Sequence, residues 1–174
     1  MPSTSDIDVI DRAAGLALGD PLHAARRFRR KVVDASQASH DALLEQPVEG
    51  LSTADRLRVA EHVCSIADAT ELAEHYSERL ARSEDGDEPS SPALPAMLDF
   101  ASELTTDPRR GDRPAIEALR DAGLGDAAIV ALAQLVAFLS YQLRVVAGLR
   151  ALREFHEARE AREAQEREAQ EDEE

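Results

Sequence analysis

Apolar residues recur at helical spacing along most of the chain. Over residues 21–44 they return every three or four positions, with Pro21 in what would be the first turn, and this predicts a long helix. A second long helix is predicted to begin after Ser52, which can act as its N-cap, with Asp55 three residues later. The expected buried stripe of this second helix comprises Val59, Val63, Ile66, Ala73, Tyr76 and Leu80.

Shorter helices are predicted from the residues at their ends. One begins at Ser5 and is ended by Gly15 and the turn at residues 19–21. Two more span residues 97–104 and 113–121, before a proline and a glycine respectively.

Residues 127–149 form the most apolar stretch. Their polar side chains are Gln134, Ser140, Gln142 and Arg144, so a helix here is apolar nearly all round and is expected to be the central, buried one. A membrane span is the competing interpretation, but these polar groups argue against it, and we expect no membrane partner.

The pattern as a whole predicts an all-α protein of five or six helices, and the many Ala, Leu and Val residues agree with that. We expect a lead-in at residues 1–20 and a single domain at 21–155. The prolines and charges of residues 83–95 indicate a flexible loop within that domain. Residues 156–174 have no apolar stripe and are expected to form a solvated, fraying tail.

The formal net charge of -15 repels phosphate backbones and anionic surfaces, so nucleic acid is not an expected partner. The exception is the basic run at residues 26–31. It either binds phosphate or an acidic neighbour, or is simply the exposed side of a helix, or pairs with acidic residues of another subunit. Residues 1–8 have neither a basic nor an apolar segment of a secretory signal, which predicts a cytoplasmic protein.

Five segments of the second half of the chain carry a family resemblance: residues 98–101, 104–108, 118–126, 129–132 and 137–144. In this order they resemble the carboxy-terminal half of an alkylhydroperoxidase D (AhpD) / carboxymuconolactone decarboxylase domain. The likeness extends over residues 51–152, and residues 21–44 look like an extension found in a divergent branch of that family. The resemblance implies an AhpD-like helical bundle and a homo-oligomer.

The family's active site carries a Cys-x-x-Cys pair followed by x-x-x-His, with a glutamate about three turns earlier. When His75 is placed on the family histidine, Asp68 and Glu71 stand where the cysteines belong, and Arg56 stands where the glutamate belongs. Cys64 is the only cysteine, so no register restores a dithiol. The family's peroxidase chemistry needs one thiol to attack and a second to resolve, and carboxylates cannot replace them.

Cys64, Asp68, Glu71 and His75 recur at i, i+4, i+7 and i+11, which places them on one face of a continuous helix. They are our candidate catalytic residues, for acid and base chemistry or for a divalent metal, and the alternative is an ordinary solvated face. Cys64 is either a one-thiol peroxidatic residue, helped by His62 or His75, or a small buried apolar residue. We assign no metal and no cofactor.

Tyr141 and Arg144 are the candidate ligand-binding residues, because a buried arginine beside a tyrosine can hold a small acidic ligand. Arg144 is otherwise expected to pair with a carboxylate across the core or at a subunit contact.

Two classes of function stay open. The first is a degenerate family member without dithiol redox chemistry that binds a small molecule or a partner. The second is an enzyme, either a peroxidase acting through Cys64 or an acid/base enzyme acting through Asp68, Glu71 and His75. Carboxymuconolactone decarboxylation belongs to this second class, since that branch of the family needs no cysteine pair.

Overall fold

The computed structural model describes residues 7–83 and 89–171, and within these ranges it contains helices and no strand. The all-α prediction is confirmed. Eight α-helices occur in the described residues, instead of the five or six expected, because both predicted long helices are interrupted. They are α1 (Val9–Ala13), α2 (Pro21–Arg26), α3 (Arg30–Glu45), α4 (Thr53–Ile66), α5 (Thr70–Arg82), α6 (Leu94–Thr106), α7 (Arg113–Asp121) and α8 (Asp126–Glu171), with short 3₁₀ turns at Arg27–Arg29 and Pro108–Arg110.

The chain divides into two compact units. A terminal unit combines the described parts of Met1–Phe28 and Arg144–Glu174, and a middle unit comprises Arg29–Leu143. The prediction of a single domain over residues 21–155 stays a prediction.

Helix α4 is the core of the middle unit. It packs against α3, α5 and α6, and its side chains Leu57, Val63 and Cys64 are wholly inaccessible to solvent. Ser52 caps this helix as predicted, accepting a hydrogen bond from the Asp55 amide at 3.0 Å. Because α4 is enclosed by three helices, even its charged residues Asp55 and Arg56 are buried.

The prediction of one continuous helix over residues 21–44 is wrong. A 3₁₀ turn at Arg27–Arg29 separates α2 from α3. Within the terminal unit, Arg26 and Arg27 both donate to the fully buried carboxylate of Asp11, at 2.6 and 2.7 Å. Arg26 is the last residue of α2 and Arg27 is the first residue of the 3₁₀ turn, so the carboxylate of Asp11 is bound at the point where the helix is interrupted.

The second predicted long helix is also interrupted. Helix α4 ends at Ile66, α5 begins at Thr70, and between them Asp68 has a positive φ of 54°. Aspartate is one of the few residues other than glycine that tolerates this conformation. The expected stripe therefore does not lie on one helix, and Ile66 is exposed at its end.

Helix α8 differs from the expected central, buried helix. One 18-residue stretch of it is long and apolar enough to cross a membrane by length and composition, yet only 39% of that stretch is buried. Val130 and Tyr141 remain 57% and 38% exposed. The helix also continues to Glu171 through the predicted fraying tail, with i,i+4 ion pairs such as Arg159–Glu163 along its exposed end.

The terminal unit joins the two ends of the chain. Arg150 donates to the carbonyl oxygen of Ala13 at 2.9 Å, and Arg153 donates to those of Ala14 and Gly15 at 3.0 and 3.2 Å. These carbonyls lie at the end of α1, where helical partners are lacking. At Gly15 the φ of 69° disfavours any side chain, and a Cβ there would displace the Arg153 guanidinium.

The shorter helices were predicted with mixed success. The prediction of residues 113–121 is confirmed at both ends by α7. The helix predicted at 97–104 is longer, since Leu94 and Pro95 form its first turn and not the end of a loop. The lead-in helix begins after Asp8, whose side chain caps it, whereas Ser5 and residues 84–88 of the predicted loop lie outside the described residues.

Candidate functional site

The four candidate catalytic residues do not share a face. Cys64 is buried on α4. Asp68 is exposed in the break between α4 and α5, and on α5 Glu71 is exposed and His75 is half-buried. The prediction of one stripe is therefore wrong, because it required the helix to continue through residues 67–69. No group of three His, Cys, Asp or Glu side chains in the described residues is placed to hold a metal ion.

Cys64 lies in the core of the middle unit with no exposed surface. Burial raises the pKa of its thiol to about 12, because desolvation disfavours the thiolate. A peroxidatic cysteine needs the opposite, an accessible thiolate of low pKa. The environment of Cys64 is that of a small buried apolar side chain.

His75 belongs to a cluster of four rings in the middle unit. The centroid of the His40 ring lies 6.1 Å from those of His75 and Tyr76 and 6.2 Å from that of Phe138. His75 and Tyr76 are in edge contact at 5.1 Å. These residues come from α3, α5 and α8, so the ring cluster is the point where the three helices meet.

His40 has the most distinctive environment in this ring cluster. It is only 3% exposed, and its Nδ1 lies 3.0 Å from Oδ1 of Asp41. Since a carboxylate only accepts hydrogen bonds, Nδ1 carries the proton. Nε2 then has a free lone pair, and this buried atom has no hydrogen-bond partner among the described residues.

The ionisable groups around His40 leave it neutral. Burial lowers the pKa of His40, and the Arg79 cation lowers it further, against the opposing effects of Asp41 and Glu45. Arg79 and Glu45 form an ion pair of 2.7 Å. A neutral imidazole with its tautomer set by a carboxylate can accept a proton or a hydrogen bond at Nε2.

Tyr76 is fully buried and donates a 2.6 Å hydrogen bond to Oε1 of Gln142. Burial raises the pKa of the Tyr76 hydroxyl well above its usual range. The polar side chain of Gln142 on the apolar helix α8 thus has a structural partner, and it joins α8 to α5.

Arg56 stands where the resemblance places the family glutamate, and it is 2% exposed. Its guanidinium donates to the carbonyl oxygens of Leu43 and Gln46, both at 2.8 Å, and to the hydroxyl of Thr53 at 3.1 Å. Arg56 therefore satisfies the orphan carbonyls at the end of α3 and holds α4 against it. This role is structural.

The expected ligand-binding pair is not a buried site. The hydroxyl of Tyr141 lies 2.9 Å from that of Ser36 in the middle unit, and Arg144 is exposed in the terminal unit. The expectation of a buried arginine is wrong, because that side of α8 is open to solvent at both positions.

Two surface cavities lie in the middle unit, apart from the ring cluster. One of about 470 Å³ opens between α6 and α7, lined by Phe100, Pro114 and several charged residues. The other, of about 340 Å³, lies at the junction of α4 and α5 and includes Glu61, Asp68 and Glu74. Asp68 thus lines an acidic groove and not the ring cluster near His75.

The basic run at residues 26–31 is divided in the structure. Arg26 and Arg27 form ion pairs inside the terminal unit with Asp8 and Asp11. Residues 29–31 are exposed. The acidic partners found are therefore in the same chain.

No protein-family profile matches the sequence, and no curated protein matches it either. Several solved structures do, and two of them are described as follows. One is an uncharacterized peroxidase-related protein from Silicibacter sp. TM1040, with a TM-score of 0.61, 21% identity, and coverage of 82% of this chain and 80% of that one. The other is an uncharacterized peroxidase-related protein from Ralstonia eutropha JMP134 with an alkylhydroperoxidase AhpD core, with a TM-score of 0.54, 21% identity, and coverage of 80% and 78%.

This chain has an AhpD-like fold. The identity of 21% establishes the fold alone. His75, which the resemblance places on the family histidine, lies in the ring cluster.

Sequence analysis missed His40, the best-placed polar group of the ring cluster. A signal was present, since His40 lies seven residues after Val33 and four before Leu44, and these three are the buried residues of α3. A histidine at the spacing of an apolar stripe is expected to point into the core. No sequence motif includes His40, because the rings that it contacts lie on other helices, far away in sequence.

Proposed function

We propose that this protein is a member of the AhpD / carboxymuconolactone decarboxylase family that has lost dithiol redox chemistry and binds a small molecule at the ring cluster. The observation that carries the proposal is the state of its single thiol. Cys64 is enclosed in the core with a pKa raised to about 12, and exposed carboxylates occupy the two motif positions.

The ring cluster favours a particular kind of ligand. Rings of His75, Tyr76 and Phe138 around His40 favour a flat, uncharged molecule. Nε2 of His40 accepts a hydrogen bond, and buried acceptors are normally met by a donor. A small neutral aromatic molecule with a hydroxyl group combines both properties.

An acid/base enzyme is the second candidate. The Asp41–His40 hydrogen bond favours it, since it presets a neutral base of the kind that many enzymes use. In such an enzyme the reacting groups would be His40 and His75, and not Asp68 and Glu71. A cytoplasmic location, and the absence of nucleic-acid partners, remain predictions.

Peroxide turnover tests the loss of redox chemistry. Purified full-length protein is assayed with hydrogen peroxide and an organic hydroperoxide in the presence of a dithiol, beside Cys64→Ser. We expect no turnover from either protein. Turnover by the wild type that disappears in Cys64→Ser would show a one-thiol peroxidase and overturn the proposal.

Ligand binding is tested with phenol and toluene, which have similar shapes but differ in the hydroxyl group. We expect phenol to raise the melting temperature of the wild type more than toluene does, and His40→Phe to abolish that difference. His156→Phe, on the far part of α8, is the matched control and should keep it. Equal effects of phenol and toluene on the wild type would contradict binding at His40.

A further inference from the structure

The larger surface cavity of the middle unit, of about 470 Å³, has no role in the proposed function. It lies between α6 and α7, and we call it the α6–α7 cavity. Ala96, Asp99, Phe100 and Glu103 line it from α6, and their spacing of three or four residues places them on one side of that helix. Its volume is within the range of sites that hold small molecules.

Part of the lining is apolar. Phe100, which is 5% exposed, contributes its ring from α6, and Pro114 and Ala118 contribute from α7. Ala96 and Ala118 have short side chains, so the two helices leave space between them that larger residues would fill. This part of the lining suits the apolar body of a small ligand, above all a flat one that packs on the ring of Phe100.

The segment that joins α6 to α7 is ordered by contacts of its own. Pro108 restricts the backbone, and the Asp107 side chain caps the 3₁₀ turn by accepting a hydrogen bond from the Arg109 amide. Gly111 passes close to Leu104, and a Cβ there would lie 2.5 Å from the leucine Cδ1. The cavity therefore forms without a ligand, as most small-molecule sites do.

The charged groups of the cavity differ in their pairing. Arg109 donates to both carboxylate oxygens of Asp107, at 2.8 and 2.9 Å, and Arg110 pairs with Glu103 at 2.7 Å. Asp99 lines the same cavity, and among the described residues it has neither a hydrogen-bond partner nor an ion-pair partner. The cations of the cavity thus have their counter-charges, whereas one carboxylate has none.

We propose that the α6–α7 cavity binds a small organic cation, a primary amine with a flat apolar body. The ammonium group lies beside Asp99, and the apolar body packs against Phe100 and Pro114. A charge-assisted hydrogen bond to the carboxylate and the adjacent aromatic face both stabilise an ammonium group. The α7 side suits it less, because the positive end of that helix lies there, where Asp112 accepts a hydrogen bond from the Ala115 amide.

An organic anion is the alternative occupant, since two arginines line the cavity. It would have to displace Asp107 from Arg109 or Glu103 from Arg110, whereas an ammonium group finds Asp99 already unpaired. The formal net charge of -15 also attracts cations and repels anions. Both considerations favour the amine.

Three probes of similar shape and different charge test the proposal: benzylamine, benzyl alcohol and benzoate. The full chain is titrated with each at neutral pH, and binding is followed by the backbone amide signals of α6 and α7 in NMR spectra. We expect benzylamine to shift these signals with a dissociation constant roughly tenfold lower than that of benzyl alcohol, and benzoate to leave them unchanged. Tighter binding of benzoate, or equal effects of all three probes, would overturn the proposal.

Asp99→Asn removes the charge and keeps the shape of the side chain. It should raise the dissociation constant of benzylamine roughly tenfold and leave that of benzyl alcohol unchanged. Asp121→Asn is the matched control, since Asp121 is exposed on α7 outside the cavity, and it should bind benzylamine like the wild type. An unchanged constant in Asp99→Asn, or an equal loss in both variants, would contradict a site at Asp99.

Filling the cavity tests its position without changing a charge. Ala118→Leu on α7 should weaken benzylamine and benzyl alcohol alike, and leucine is well tolerated in a helix. Ala127→Leu, exposed on α8, is the control and should bind as the wild type does. His40→Phe should also bind benzylamine normally, and a loss there would place the amine at the ring cluster and reject the α6–α7 cavity.

Discussion

Helix α4 carries more charged residues than the first part of α8, yet α4 is the more buried of the two. Helix α4 includes two arginines, two acidic residues and a histidine, and all but a few of its side chains are buried or half-buried. The first part of α8 is nearly free of charge, and Val130 and Tyr141 on it remain exposed.

The difference lies in what surrounds each helix. Three helices pack around α4, and its polar groups are acceptable there because they have partners, such as the carbonyls that receive Arg56. Nothing in the described chain covers one side of α8, so its apolar residues there contribute little to the stability of the isolated chain. Burial follows from neighbouring elements, and polarity alone does not determine it.

The largest expected effect comes from Arg56→Leu. It leaves the carbonyls of Leu43 and Gln46 without the donor that the buried guanidinium of Arg56 supplies, which should lower the free energy of unfolding by on the order of 3 kcal/mol. Arg82→Leu, which removes an exposed pair with Glu78, should stay within about 0.5 kcal/mol. Urea denaturation measures both, and equal values would show that the buried arginine of α4 is dispensable.

The same substitution in both helices sharpens the comparison. Val63→Ala on α4 removes a fully buried side chain and should cost about 2 kcal/mol. Val130→Ala on α8 should change stability by less than about 0.5 kcal/mol at monomeric concentrations, since alanine is the better helix former. Denaturation of the two variants side by side checks this, and a costly Val130→Ala in the monomer would mean that α8 is covered within the chain.

Acidification should have a smaller effect, through His40 in the ring cluster. Because the pKa of His40 is lowered in the folded state, the unfolded chain binds a proton first as the pH falls below about 6.5. Stability is thus complete above that pH and is lost as the pH falls towards the folded-state pKa. Melting temperatures from pH 7.5 to 5.0 should fall less steeply in His40→Gln than in the wild type, while His156→Gln should follow the wild type.

The smallest effect is expected at the far end of α8. Glu163→Gln removes the charge from an exposed pair with Arg159 at 3.4 Å, which is worth a few tenths of a kcal/mol. Thermal unfolding should be unchanged, and helix content by circular dichroism should fall only slightly. A clear loss of global stability would show that this segment packs against something.

Local signals predicted the parts of the fold that depend on neighbours in sequence. The ends of α7 follow from Asp112, Pro114 and Gly123, and the start of α4 follows from Ser52. The breaks at residues 27–29 and 67–69 contain no proline or glycine. At the first break Arg26 and Arg27 bind Asp11, which is 15 and 16 residues away in sequence, and periodicity could not reveal this contact.

The candidate site was predictable only in part. His75 follows from the resemblance, but its neighbour His40, and Phe138 next to His40, come together only once three helices are packed. The prediction that Cys64, Asp68 and Glu71 share one face of a continuous helix is wrong, because a single residue, Asp68, takes a left-handed conformation. The sequence alone shows that the chain has no dithiol, since one cysteine cannot form a pair.

The arginine contacts at the end of α1 also set the order in which the protein can form. Arg150 and Arg153 reach back across 137 to 139 residues to Ala13 and Ala14, so closing the terminal unit carries the entropy cost of a very long loop. During synthesis the middle unit, Arg29–Leu143, is complete before either arginine has been added. Asp11 of α1 can pair early with Arg26 and Arg27, but the carbonyl groups at the end of this helix are among the last groups to gain their partners.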